Sequence, residues 1–220
     1  MITVDRRRVL NTPYVNDGLV FHLDGWNKGG NDGIWTDLVG GRQFTNGGAA
    51  VFETNGVRFT GSATSYLDGA TIPTSWSAST YTIEVCYTTN MTEKYTLFKS
   101  RTGGVALVMT SRLTGRIDSS ASDSVKGFTN RLLSSSTVSY TTAYAMQGLV
   151  EMTSTTSGYL NLGNGTQIGA RRKSATATNT DYRLTGKIYS IRIYNRRLSL
   201  EEMKHNQRID NKRFNLGLNF

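Results

Sequence analysis

Any catalytic reading of this 220-residue chain has to draw on 16 Asp and Glu, two His and one Cys. Retaining glycoside hydrolysis needs two carboxyl groups about 5 Å apart across one bond, which on a strand means carboxylates at alternate positions. Glu84 and Glu151 stand alone in their strand-like stretches. Glu201 and Glu202 follow Ser199, where helix capping and the helix dipole account for them. His22 and His205 are far apart and no G-x-S-x-G elbow accompanies either, so neither a zinc pair nor a triad is indicated. His22 reads as a strand residue and His205 as an exposed helix residue. The run GNGTQIG, Gly163 to Gly169, lacks the spacing and the Lys of a phosphate loop. These observations predict a protein that is not an enzyme.

Binding chemistry has more candidates. Between Asp24 and Gly48 the chain is dense in Gly, Asn and Asp. The oxygens of Asp24, Asn31 and Asp32 are of the type that holds Ca²⁺, but the spacing fits no EF-hand loop and Asn-Asp-Gly is ordinary turn chemistry. A turn is therefore expected, with no cofactor, and a Ca²⁺ ion is the alternative. Trp26 and Trp76 are the carbohydrate-binding candidates, because an indole stacks on a sugar face while Asn or Asp accepts from hydroxyls.

The formal charge is +9. A nucleic-acid binder gathers such charge into a stripe with interleaved aromatics, whereas here it is scattered, so no nucleic acid is expected. Clusters occur at Arg6–Arg8, Arg171–Lys173, Arg196–Arg197 and Lys212–Arg213. Solvated surface is their ordinary reading; the functional one assigns Arg6, Arg7, Arg8, Lys212, Arg213 and Phe214 to docking on an acidic partner.

The element that organises the chain is Thr185 to Asn206. Tyr189, Ile191 and Ile193 alternate with Ile188, Ser190, Arg192 and Tyr194, the period of a half-buried strand. After a polar turn, Ser199 and Glu202 form a capping box, with Leu198 and Met203 as its hydrophobic staple. Upstream, 23 Gly against 2 Pro, with many Ser, Thr and Tyr, suits short strands and tight turns. Strands are expected at 50–53, 57–60, 65–68, 81–89, 95–100, 105–110, 113–119, 140–153 and 157–162, with a Ser-rich ordered loop carrying one poor strand at 119–136. In the strand at 81–89, Thr82, Glu84, Cys86 and Thr88 share a face expected to be open. Cys86 excludes an intrachain disulfide and reads as a small buried residue. The expected organisation is an N-terminal arm at 1–16, one sandwich domain at 17–209 and a tail at 210–220. MITVDRRRVLNTPYVNDG has no apolar h-region and no stretch approaches a membrane span, so export and membrane insertion are not expected.

GKIYSIRIYNRRLSLEEMKHN, Gly186 to Asn206, resembles the closing segment of laminin-G-like domains of the concanavalin A-like lectin/glucanase superfamily. The resemblance extends through VRFTGSATSYLDG at 57–69 and YTIEVCYTT at 81–89, and covers 17–214, with its specific part at the end. It implies an all-β, antiparallel two-sheet jelly-roll sandwich with one short C-terminal helix, and places Leu19–Leu23 beside Ile188–Tyr194. TDLVGG, which follows Trp35, is similar to a structural turn of the family, and this implies that Trp35 is core. The middle departs from the family, offering GYLNLGNGTQIG where a Trp and a Tyr-x-Asp/Asn-Gly turn are usual. The acidic E-x-D-x-x-E array of the superfamily's glycanases is missing. Copies of this ending in phage and prophage structural proteins imply a non-catalytic virion component: a capsid decoration, head fibre or tail protein. Its partners would be other capsid or tail proteins, a second copy of itself, or a surface glycan, and its location the virion. The rival reading is a bacterial carbohydrate-binding module of a surface or secreted protein.

Overall fold

The computed structural model describes residues 14–26, 33–69, 81–89, 95–100, 106–109, 125–134, 137–144, 148–154, 166–172, 180–196 and 198–217. In chain order the strands are β1 (Leu19–Asp24), β2 (Ile34–Thr36), β3 (Gln43–Asn46), β4 (Val51–Glu53), β5 (Gly56–Thr60), β6 (Leu67–Gly69), β7 (Tyr81–Thr89) and β8 (Tyr95–Ser100). They continue with β9 (Ala106–Met109), β10 (Val125–Ser134), β11 (Thr137–Tyr144), β12 (Gly148–Ser154), β13 (Thr166–Ile168), β14 (Arg171–Arg172), β15 (Thr180–Asp181) and β16 (Thr185–Tyr194), and the helix α1 (Leu200–Phe214) closes the chain.

Two antiparallel sheets hold all of these strands except β14 and β15, which pair with each other. One is eight-stranded, in the order β12-β11-β10-β7-β16-β5-β4, with β1 also on β16; the other runs β2-β3-β6-β13-β8-β9. Among the residues whose burial is described, the inner faces of the two sheets meet in one core cluster. Phe21, Ile83, Val85, Ile191 and Ile193 come from the first sheet, and Trp35, Phe44, Leu67, Leu97 and Ile168 from the second. The architecture is the expected β-sandwich with one C-terminal helix. Leu19 pairs with Tyr194 and Asp24 with Ser190, so the first strand lies beside the last as the resemblance implied. Trp35 and Cys86 are fully buried.

β16 departs from simple alternation. Its register against β7 slips between Ile188 and Ser190, a bulge that turns two successive residues the same way. Ile188, Ile191 and Ile193 enter the core, while Tyr189 packs with Cys86 and Phe214 on the outer face. Tyr189 therefore does not share the face of Ile191 and Ile193, because period-two counting cannot see an inserted residue. The space for the bulge comes from glycine: Gly25 N–H donates to the Tyr189 carbonyl at 2.8 Å, and a Cβ on Gly25 would lie 2.5 Å from both that oxygen and Gly56 Cα.

The outer face is roofed by α1. Ser199 accepts from the Glu202 amide while the Glu202 carboxylate accepts from the Ser199 amide, completing the capping box. Leu198 and Met203 close over Tyr194 as the staple. The helix runs 15 residues to Phe214 and ends on Asn215 in the left-handed conformation, so residues 210–214, expected in the tail, are helical. Of the face expected to be open, Thr82, Glu84 and Cys86 lie buried beneath this roof, while Thr88 is half-buried. The poor strand expected within the Ser-rich 119–136 is the ten-residue β10, pairing with β7 and β11 along its length: backbone pairing on both edges compensates for weak side-chain patterning. The expected strand at 140–153 is instead parts of β11 and β12, an antiparallel pair. The expected strands at 113–119 and 157–162 lie outside the described residues.

Candidate functional site

Beneath α1 the carboxylates are committed to structure. Arg192 donates through Nε to Glu84 Oε2 at 3.0 Å, through Nη1 to Asp210 Oδ1 at 2.9 Å and through Nη2 to Asp210 Oδ2 at 2.5 Å. Asn206 Nδ2 donates to Glu84 Oε2 and to the Tyr194 hydroxyl. Tyr14 lies with its ring 4.2 Å from the Arg192 guanidinium; its hydroxyl donates to Asp210 Oδ1 and accepts from Arg213 Nη1. Arg213 Nη2 donates to Asp24 Oδ2 at 2.6 Å. Charges removed from water persist only when paired and hydrogen-bonded in this way.

The electrostatics follow from burial and pairing. Burial pushes the Glu84 carboxyl above its usual range despite Arg192. Burial likewise opposes the Arg192 charge, but Asp210 and Glu84 outweigh it and hold Arg192 ionised. His22 is pushed down to about 3, first by burial and then by Arg192, so it is a neutral imidazole at ordinary pH. Burial raises the Cys86 thiol well above its usual range, leaving it protonated and unreactive. This assembly holds a helix; it presents no carboxylate pair to a substrate.

A different character appears where the roof ends. Phe214 packs on Tyr189 at 5.2 Å and Trp26 leans on Phe214 at 6.4 Å. Trp26 is 38% exposed; its amide donates to Asp24 Oδ1 and its backbone bridges to Asn55. Lys187 Nζ lies 5.3 Å over the Tyr189 ring, donates to Asn55 Oδ1, and pairs with Glu53 Oε2 at 2.6 Å. Arg58 Nε pairs with Glu53 Oε1 at 2.6 Å. Partial burial raises Glu53, but the bonds from Lys187 and Arg58 outweigh it and hold the carboxylate below its usual range. Beside this group a groove of about 470 Å³ follows the ends of β5, β16 and β7, lined by Arg58, Thr60, Thr88, Thr185 and Lys187 above Phe59, Thr89 and Gly186.

Of the residues singled out in the sequence, Trp26 is on the surface. Asp24 has both carboxylate oxygens hydrogen-bonded, one by the Trp26 amide and one by Arg213. Among the described residues no group of three or more His, Cys, Asp and Glu is arranged to hold a metal. Lys212 is exposed. Arg213 and Phe214 point inward, to Asp24 and Tyr14 and to Tyr189 respectively, because the helix continues through them. Trp76, Asn31, Asp32, Arg6, Arg7 and Arg8 lie outside the described residues. Sequence reasoning missed Glu53, Asn55, Arg58 and Lys187; the outward parity of Arg58 and Lys187 relative to buried Val57 and Ile188 was the available signal.

No family model matches the sequence, and no curated protein does. Solved structures do match in fold. The sialidase of Trypanosoma rangeli, in complex with 2,3-difluorosialic acid as a covalent intermediate, is 17% identical with a TM-score of 0.56, over 89% of this chain and 33% of that one. The receptor-binding domain of botulinum neurotoxin mosaic serotype C/D is 11% identical with a TM-score of 0.61, over 90% and 52%. The binding domain of botulinum neurotoxin serotype D is 13% identical with a TM-score of 0.57, over 90% and 51%. The chain thus spans about a third of the sialidase and about half of the toxin domains. At such identities the likeness establishes the fold alone, an antiparallel two-sheet β-sandwich.

Proposed function

We propose that this chain is a non-catalytic recognition domain, a lectin-like β-sandwich that docks to proteins and binds a surface glycan, and that it serves as a virion structural or accessory component. The observation that carries the recognition role is Trp26, an exposed indole held by a backbone bridge and an aromatic backing beside the polar groups of Asn55, Glu53 and Lys187. A preorganised aromatic beside hydrogen-bonding groups is what a saccharide face selects. The commitment of Glu84, Asp210, Asp24 and Asp37 to internal partners supports the non-catalytic reading. The presence of toxin binding domains among the similar folds is consistent with recognition as the role. The virion setting rests on the resemblance of Gly186–Asn206 to laminin-G-like copies in phage structural proteins. Capsid or tail proteins and a second copy of the chain are the protein partners this setting supplies. Among the described residues no helix is long and apolar enough to cross a membrane.

A glycan array, with Trp26→Ala alongside, tests the binding role: a specific hit lost in the variant supports it, and no hit removes the glycan part. Genes for portal, capsid or tail proteins beside this one, and co-sedimentation of the chain with purified particles, test the setting. A secreted, monomeric natural protein with sugar affinity overturns the virion setting in favour of a carbohydrate-binding module.

A further inference from the structure

We propose that the Trp26 surface recognises a carboxylate-bearing saccharide, with Arg58 and Lys187 receiving the carboxylate; this rests on the glycan-binding part of the reading above. The residues come together through pairing. Lys187 lies opposite Arg58 on β5 and opposite Thr88 on β7, and Val57 and Ile188 beside them point into the core. Arg58, Lys187 and Thr88 therefore form one outward row across three strands, and Thr60 opposite Thr185 forms the next. The groove runs along these rows, beyond the point where Phe214 ends the cover on Tyr189.

Charge then selects the ligand. Two cations share one anion: Glu53 takes Lys187 on one oxygen and Arg58 on the other, which leaves one positive charge in the cluster. The Arg58 side chain is 50% exposed and is held to Glu53 by Nε, so its two terminal nitrogens extend past the pair. A guanidinium edge and an ammonium suit a carboxylate, which accepts two charge-assisted bonds. Trp26, joined to this group through Asn55, supplies the stacking face for the sugar ring, and the outward threonines and Asn55 supply hydroxyl partners. A neutral sugar would use the indole and the hydroxyl partners but leave the excess cation in water.

The test compares ligands that differ in the carboxylate. Binding of methyl β-glucuronide against methyl β-glucoside, and of 3′-sialyllactose against lactose, is measured by NMR titration on the wild type, Arg58→Gln and Trp26→Ala. The expected result is a preference of about tenfold for the acidic member of at least one pair, the worth of one charge-assisted bond. That preference should shrink with added salt and disappear in Arg58→Gln, while Trp26→Ala weakens both members. Equal affinity within both pairs overturns the charge selection and leaves glycan binding standing. An acidic preference that survives Arg58→Gln overturns the residue assignment. Binding of none of the four overturns the inference together with its glycan basis, leaving particle docking to be judged by co-sedimentation.

Discussion

Arg192 and Asp210 meet end-on between β16 and α1, two parallel hydrogen bonds of 2.9 and 2.5 Å joining guanidinium to carboxylate. Both side chains are closed to solvent, at 1% and 0% exposure. The third guanidinium position goes to Glu84 on β7, and the Tyr14 ring covers the plane. One side chain therefore ties the central two strands, the C-terminal helix and the segment ahead of β1. The Val15 amide reinforces the tie by donating to Asn206 Oδ1.

Removing one partner of such a pair leaves a buried charge without compensation, which costs about 3–5 kcal/mol. Asp210→Ala should lower stability by that amount in urea denaturation. A loss under about 1 kcal/mol, the level of an exposed ion pair, would contradict the burial of the tie.

Stability should fall as pH drops from about 6.5 toward 3 through His22. Its folded-state pKa of about 3 lies below the ordinary 6.5, so in this window the unfolded chain binds the extra proton and the fold is disfavoured. The full span is worth on the order of 5 kcal/mol. Glu84, raised rather than lowered, acts with the opposite sign: the folded protein takes up its proton first, and that contribution is lost as pH rises through the raised value. His22→Asn should flatten the acid slope of the melting temperature; an unchanged slope would assign the acid sensitivity elsewhere.

The helix start is a separate, smaller contribution. Ser199→Ala removes the acceptor of the Glu202 amide and should cost about 1 kcal/mol. Glu202 also accepts from Arg196 and is held down at about 2, mainly by that bond. Its contribution is therefore present above the usual carboxylate pKa and is lost as pH falls through about 2. Circular dichroism of the variant should show helix fraying with the sheet signal intact.

Gly25→Ala tests the packing around the bulge. A methyl there would meet the Tyr189 carbonyl and Gly56 Cα at 2.5 Å, so β1 or β5 must move. Overpacking of this kind costs about 1–3 kcal/mol, read as a lowered urea midpoint; a neutral substitution would mean that the strand junction yields freely.

What was legible in the sequence was local. The capping box needs only Ser199 and Glu202 three positions apart, and strand alternation needs only neighbours, so the closing strand and helix were readable from one stretch. Cys86 was readable as buried from its residue type and Trp35 as core from the family resemblance of the TDLVGG that follows it; both are fully buried. Tyr189 was misplaced, since the bulge arises from how β16 meets β7 and how Gly25 and Gly56 make room, not from the residues of β16 alone. The open face foreseen at Thr82, Glu84 and Cys86 was covered because Asp210 lies 18 positions beyond Arg192 and Glu84 lies 108 before it; no periodicity links residues so far apart.

Trp26 was visible as a candidate from its residue type and its glycine-rich surroundings. Its companions were not, because Asn55, Arg58 and Lys187 become neighbours only when β5 pairs with β16. The sequence by itself determined the elements, their caps and the all-β class, since hydrophobic period and capping act over a few residues. Only the tertiary structure decided that Arg213 and Phe214 serve the fold and that Trp26 and Lys187 share a surface. Strand register and helix docking set which distant charges are buried together and which remain at the solvent edge.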